Sequence, residues 1–272
     1  MYTKPIIYKV YSVIVFALAS LGFLGSVIYA AFGAEILKSL LPDRIGAVIY
    51  ITTMICAAFI SLFFAYVEFT SMFTFAQMIE HEESRSPYPF RRMGMVFPPK
   101  FYKVFGSILF YVPLVVDFIA AIAMVISYSV TKKAFLAIPL IPLAIMLLSL
   151  LLTYITYYCR YRTFGDLLEL KSSNNVSINT VNSLAENKPN VLRGYCIFLY
   201  ILAIICFIGS VVSLFFVASP IAAVAGTGAA VAACVGIVIY AIVLFMAFGV
   251  IGCYYDNLAK MLEHYMIEYK LL

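Results

Sequence analysis

Residues 194–218 read GYCIFLYILAIICFIGSVVSLFFVA, an apolar run without a charged side chain. A helix needs about 20 such residues to cross the hydrocarbon core of a bilayer, and it satisfies its own backbone hydrogen bonds there. Five further apolar stretches of similar length lie at 10–32, 45–67, 104–128, 134–157 and 229–252. The sequence therefore predicts an all-α integral membrane protein with six transmembrane helices.

The composition excludes several classes of protein. Hydrophobic residues make up 65% of the 272 residues, charged residues make up 11%, and the mean hydropathy is +1.04. Because a soluble domain carries about 25% charged residues, a soluble enzyme, a nucleic-acid-binding protein and a disordered chain are excluded. The six cysteines form no CxxC pair and no metal-ligand spacing, so we expect them to be small buried hydrophobes. No catalytic pair or cofactor motif is evident, and we expect no enzyme, no metal and no cofactor.

The distribution of basic residues predicts the orientation of the chain. Of the 18 Lys and Arg residues, all except Lys38, Arg44, Lys132 and Lys133 lie in the N-terminus, the loops 68–103 and 158–193, or the C-terminus. Cytoplasmic segments carry an excess of Lys and Arg. We therefore expect both termini in the cytoplasm, in a multi-pass protein of a bacterial-type cytoplasmic membrane.

An internal repeat is visible at the start of three segments. Each begins with proline, a basic residue four positions later and an aromatic residue two positions after that: Pro5-Lys9-Tyr11, Pro99-Lys103-Phe105 and Pro189-Arg193-Tyr195. In the same register, FLGSVI at 23–28 matches FIGSVV at 207–212. Self-similarity of this kind defines a fold built from repeated units. We predict one membrane domain, 1–272, of three tandem two-helix repeats, 1–90, 91–185 and 186–272.

The even-numbered helices are predicted to continue past the membrane as cytoplasmic amphipathic extensions. Tyr66, Tyr157 and Tyr254 end the second, fourth and sixth spans, and an apolar residue follows each seven positions later: Phe73, Phe164 and Met261. Apolar residues at helical spacing form a stripe along one face. These stripes either pack on one another inside the chain or form a surface for a partner or for lipid headgroups.

Asp117 is the one charged residue placed deep in a predicted span. An acid at the bilayer centre costs about 2.5–3.5 kcal/mol for insertion and is often functional. Pro113, four residues earlier, removes a helix hydrogen bond on roughly the same face. Ser149 or Thr153, on the antiparallel fourth span, is the predicted hydrogen-bond partner. Asp117 is thus a candidate proton, cation or substrate site; the alternative is a neutral, hydrogen-bonded acid that only fixes helix packing.

The sequence leaves two functions open. The leading hypothesis is a small transporter or channel-like protein, or the membrane subunit of a transport system with an ATPase partner on the cytoplasmic side. The alternative is a non-catalytic scaffold or accessory protein that binds partners through its helix extensions. Arg91 and Arg92 lie in a basic, proline-containing loop that either marks topology or binds anionic lipid headgroups. Assembly into a homo-oligomer is open, and nucleic acid is not an expected partner.

Overall fold

The computed structural model describes residues 2–40, 44–84, 97–131, 148, 151–172 and 178–271. Within these ranges the chain is helical and has no β-strand, which confirms the all-α prediction for this part of the chain. The helices are α1 (Pro5–Leu40), α2 (Arg44–Glu83), α3 (Pro99–Thr131), α4 (Arg160–Ser172), α5 (Ile178–Ala185) and α6 (Pro189–Glu268), and a π-helix, Tyr154–Cys159, directly precedes α4.

Proline begins three of these helices, at Pro5, Pro99 and Pro189. The first helical residue has no partner for its backbone N–H, and the fixed φ of proline suits this position. The proline of each predicted repeat therefore marks a real helix start. Helices α2 and α6 also continue well beyond residues 67 and 252, where the predicted spans end.

Five helical segments within the described ranges are long and apolar enough to cross a membrane: Pro5–Ala30, Tyr50–Glu83, Pro99–Ile119, Pro189–Leu214 and Gly226–Glu268. They indicate a multi-pass membrane protein, as the composition predicts. The predicted fourth span, 134–157, lies for the most part outside the described residues. The number six therefore stays a prediction.

The described helices form two compact units, Met1–Val96 and Phe97–Leu272. The first unit is an antiparallel hairpin of α1 and α2, joined by aromatic ring pairs along its length. The ring centroids lie 5.9 Å apart in Tyr8–Phe75, 5.4 Å in Phe16–Phe69 and 4.8 Å in Phe23–Phe59. Because later residues of α1 meet earlier residues of α2, the two helices run in opposite directions.

The second unit contains two antiparallel pairings. Helix α3 packs against the π-helix and α4, with centroid distances of 5.5 Å for Phe105–Tyr161 and 5.2 Å for Phe110–Tyr154. Helix α6 folds back on itself, and its two arms meet through Tyr195–Tyr255 at 4.9 Å and Phe207–Phe245 at 5.8 Å.

Gly226 is the point at which α6 reverses direction. Its backbone has φ 86° and ψ 165°, outside the helical region, and the helix is regular on both sides. A side chain disfavours this positive φ, whereas glycine adopts it readily. One glycine thus divides α6 into an N-terminal arm, 189–225, and a C-terminal arm, 227–268.

Burial in the second unit is concentrated away from the apolar arms. Val115, Ile205 and Met246 are 55–63% exposed, as expected of residues that face lipid. The side chains that are at most 2% exposed gather where α3 begins, along α4 and towards the end of α6: Tyr102, Tyr161, Phe164, Leu167, Tyr254, Leu258 and Leu262. We call this packed region the base of the second unit.

Candidate functional site

Asp117 lies on the half-buried face of α3. Its neighbours Val116 and Phe118 are 57% and 66% exposed, whereas Asp117 and Pro113 are both partly covered. Phe110 lies one turn before Pro113 and contacts the rings of the π-helix. The acid therefore lies on roughly the same side of α3 as Phe110, the side that packs against the π-helix one to two turns earlier.

Of the two predicted hydrogen-bond partners of Asp117, the structure describes only Thr153. Thr153 is partly buried next to the π-helix, but no hydrogen bond joins it to Asp117, which has no such partner among the residues that the structure describes. Ser149 lies outside the described residues. A Ser149–Asp117 contact therefore remains a prediction.

An open apolar groove of about 570 Å³ runs along another face of α3. It is lined by Lys103, Val104, Ser107, Ile108, Tyr111, Val112, Val115 and Val116. The groove contains no acid, and five of its eight lining residues are valine or isoleucine. It provides a surface for hydrocarbon and does not include Asp117.

The apolar residues of the three predicted extensions have different environments. Phe164 and Met261 are fully buried, and Phe164 packs edge-on against Tyr102 at 4.8 Å between centroids. Phe73 is partly exposed, stacks on Phe69 and lies 5.7 Å from the ammonium of Lys9. A partner could reach the two buried side chains only after the helices separate. Arg91 and Arg92 lie outside the described residues.

Each basic residue of the repeat pattern forms an ion pair with an acid further along its own hairpin. The Nζ of Lys9 lies 2.7 Å from Glu80, the Nζ of Lys103 lies 2.5 Å from Asp166 and 2.7 Å from Glu169, and Arg193 lies 2.5 Å from Glu263. Each pair joins the beginning of one helix to the end of its antiparallel partner. Sequence reasoning marked the three basic residues but missed their acids, because the acids do not share a common spacing.

Asp166 is the most strongly connected of these acids. Its side chain is fully buried, and besides Lys103 it accepts hydrogen bonds from the Ser183 hydroxyl at 3.0 Å and the Asn187 amide at 2.8 Å. A buried carboxylate is tolerated when its oxygens are satisfied in this way. Asp166 thereby ties α3 and α4 to α5 and to the segment that enters α6.

Glu169, one turn after Asp166, completes the cluster. Although burial opposes its ionisation, the hydrogen bond and charge of Lys103 and the hydroxyl of Thr180 hold the pKa of Glu169 below its ordinary value. The carboxylate is therefore charged at neutral pH. It adds a second link from α4 to α3 and to α5.

Arg160 connects α4 to the C-terminal arm of α6. It is 3% exposed, and its guanidinium lies 4.4 Å from the ring centroid of Tyr254 and 5.8 Å from that of Tyr255. A cation over an aromatic face gains most when it is desolvated. Nearby, the Tyr255 hydroxyl donates to the Thr156 carbonyl at 3.1 Å, so the two hairpins of the second unit are joined at their base.

The π-helix lies beside a partly enclosed cavity of about 140 Å³ with mixed polar and apolar walls. Its walls combine residues of the π-helix and α4 with residues that precede and begin α6, and they include Tyr154, Tyr158, Cys159, Arg162, Glu186 and Lys188. Burial raises the pKa of the Cys159 thiol, although a hydrogen bond to Tyr154 and the nearby basic groups oppose this. Single turns of π-helix are often found at functional sites. Sequence reasoning missed this cavity, because an extra residue in a helical turn leaves no clear mark in an aromatic segment.

Within the described ranges, no group of three His, Cys, Asp or Glu side chains is placed to hold a metal ion. Comparison with known proteins gives no family: no protein-family model, no curated protein and no solved structure matches this chain.

Proposed function

We propose that this chain is a small transport-type membrane protein, or the membrane subunit of a transport system, in which Asp117 binds a proton or a cation. The observation that carries the proposal is the position of Asp117 on the half-buried inner face of an apolar helix. Acids within membrane spans are rare, and they commonly mark ion or proton pathways.

The chemistry at this position suits a proton or a hard cation. Pro113 lacks an N–H, so the carbonyl of Leu109 loses its helical hydrogen bond. A freed carbonyl oxygen and a carboxylate on one face offer the oxygen ligands that hard cations prefer. An unpaired carboxylate in hydrocarbon is costly in free energy. Binding a proton or a cation would remove this cost at Asp117.

The proposed architecture is three helical hairpins with six spans and cytoplasmic termini. The antiparallel pairing of α1 with α2, of α3 with the π-helix and α4, and of the two arms of α6 supports this arrangement. The ion pairs of Lys9, Lys103 and Arg193 also support it, because each closes one hairpin at the same end.

The transport proposal is tested with purified protein in liposomes. We expect the wild type to accelerate the movement of protons, Na⁺ or K⁺ across the bilayer, and we expect Asp117→Asn to abolish this flux while it keeps the helical content. Asp117→Glu retains the carboxylate and should keep part of the flux. Glu268→Gln removes an exposed acid at the end of α6 and serves as the control. Unchanged flux in a folded Asp117→Asn variant would remove Asp117 from the mechanism, and a wild type no faster than empty liposomes would contradict transport of these ions.

The second candidate function is that of a scaffold or accessory subunit. The exposure of Ile178 favours this function. Ile178 begins the short helix α5, outside the apolar spans, and is 78% exposed. Thr180 and Leu184 on the same helix are buried, so α5 is fixed on the base and presents Ile178 outward. Purification in mild detergent tests this function: a stoichiometric partner that Ile178→Ser releases without unfolding the protein would support it. An unchanged set of bound proteins would contradict a role for this surface.

A further inference from the structure

The cavity beside the π-helix is lined by charged residues that have no role in the proposed transport through Asp117. Arg162 and Lys188 contribute two positive charges to its walls, and Glu186 contributes one negative charge. Tyr154 and Tyr158 add aromatic surface and hydroxyl groups. A concave site with a net positive charge favours an anion.

Arg162 is the central group of the cavity. It projects from α4, donates a hydrogen bond of 2.6 Å to the Tyr158 hydroxyl and forms an ion pair with Glu186. Its side chain is 27% exposed, so the helix positions it at the wall rather than in solvent. A guanidinium has five donors in a planar fork, and two contacts leave others for a further acceptor.

Glu186 is held less firmly than Arg162. Its side chain is 64% exposed at the rim of the cavity. An ion pair with such an exposed partner contributes little to stability. An incoming anion can therefore replace the carboxylate of Glu186 on Arg162 without opening the fold.

Lys188 lies two residues after Glu186 and immediately before α6. Its side chain is exposed, and among the described residues it forms no salt bridge, so its charge is available at the cavity mouth. A helical segment long and apolar enough to cross a membrane begins at the next residue, Pro189, and its uncharged apolar run starts at 194. The cavity thus lies beside the first turn of a candidate membrane span, where we expect lipid headgroups to meet water.

We propose that this cavity binds a phosphate group, held by the Arg162 guanidinium and the Lys188 ammonium, with the Tyr158 hydroxyl orienting Arg162. A volume of about 140 Å³ holds an anion of this size, whereas pockets for drug-sized ligands start at about 300 Å³. The forked donors of arginine match the oxygens of phosphate. The phosphate belongs either to an anionic lipid headgroup or to a small soluble phosphate. This site is independent of Asp117 and of ion transport.

The test measures ligand-dependent thermal stability of the delipidated protein in a neutral detergent. Phosphatidylglycerol, phosphatidylcholine and inorganic phosphate are titrated separately, and the saturation of the shift in unfolding temperature gives an apparent Kd. We expect Arg162→Gln and Lys188→Gln each to weaken phosphate-group binding about tenfold, because each loses one charge-assisted contact. We expect Glu186→Gln to tighten it severalfold, since it removes the competing carboxylate. Lys4→Gln, an exposed lysine in the first unit, is the matched control and should change nothing.

The outcomes separate the ligand sources and the alternatives. Saturable stabilisation by phosphatidylglycerol alone identifies a lipid headgroup, and stabilisation by inorganic phosphate as well identifies a soluble phosphate. If Arg162 only supports the fold, Glu186→Gln should destabilise the protein and bind no more tightly, which would overturn the proposal. Should Arg162→Gln fail to fold, Lys188→Gln and Glu186→Gln still decide, because the proposal requires opposite shifts in their apparent Kd. Absence of any saturable effect would also overturn it.

Discussion

At Gly106 the backbone of α3 meets the backbone of the π-helix with no room for a side chain. A Cβ added there would lie 2.8 Å from the carbonyl oxygen of Tyr157 and 2.8 Å from the Cβ of Tyr161. Because a backbone carbonyl and the Cβ of a buried tyrosine cannot move aside cheaply, Gly106→Ala should destabilise the protein by about 1–3 kcal/mol. Gly194→Ala is the matched control, since nothing lies within 4 Å of its added Cβ. Thermal unfolding in detergent should show a lower midpoint for the first variant only.

Asp166 should contribute more to stability than Glu80, although each forms an ion pair with a basic residue of the repeat pattern. The Asp166 side chain is 0% exposed, whereas that of Glu80 is 45% exposed. Asp166→Asn breaks an ion pair and changes the buried acceptor of Ser183 and Asn187, which costs about 1–3 kcal/mol, whereas an exposed pair contributes at most about 1 kcal/mol. Asp166→Asn should therefore lower the unfolding midpoint strongly and Glu80→Gln hardly at all. Equal effects of the two substitutions would contradict this account.

The hydropathy pattern of the sequence identifies some of the site residues but not others. Asp117 attracts attention because it interrupts an apolar run, and its position on α3 follows directly from that run. Arg160 and Asp166 lie in a polar segment, where charged residues are ordinary, so nothing marks them as buried. Their burial depends on Tyr254, Ser183 and other residues distant in sequence, and such contacts leave no local pattern.

At the scale of the elements, α3, α4 and α5 are joined by Glu169, and this link should depend on pH. The folded-state pKa of Glu169 is below its ordinary value of 4.5. Its stabilisation is therefore complete above about pH 4.5 and is lost as the pH falls through the lowered pKa. The difference in unfolding midpoint between wild type and Glu169→Gln should be largest near neutral pH and should shrink in acid. A difference that grows in acid would contradict the assigned direction.

Helix starts and apolar runs can be predicted from the sequence, whereas the positions of the helix reversal and of the π-helix cannot. Proline at 5, 99 and 189 is a chemical start signal, and helices begin at all three. The reversal at Gly226 lies in a segment rich in small residues, and only its positive φ singles this glycine out. The π-helix at Tyr154–Cys159 lies where α3 packs against bulky aromatic rings, and the local sequence does not mark its position.

At the scale of the whole molecule, the charge distribution and the helices together make a prediction about topology. Within the described ranges, five helical segments are long and apolar enough to cross a membrane, and a sixth crossing is predicted at 134–157. If all six cross, 84 and 182 lie on the cytoplasmic side together with both termini. If 134–157 does not cross, 84 and 182 lie on opposite sides.

Single cysteines introduced into a cysteine-free version of the chain distinguish these topologies. Ser84→Cys and Asn182→Cys are both at exposed positions outside the predicted apolar spans. A membrane-impermeant maleimide applied to intact cells should label neither, and it should label both once the membrane is opened. Labelling of Asn182→Cys alone in intact cells would mean that only three of the four predicted crossings before this residue are made, and that 134–157 does not cross. Labelling of both in intact cells would show that the predicted orientation is wrong. The excess of Lys and Arg would then face outward, against the positive-inside rule.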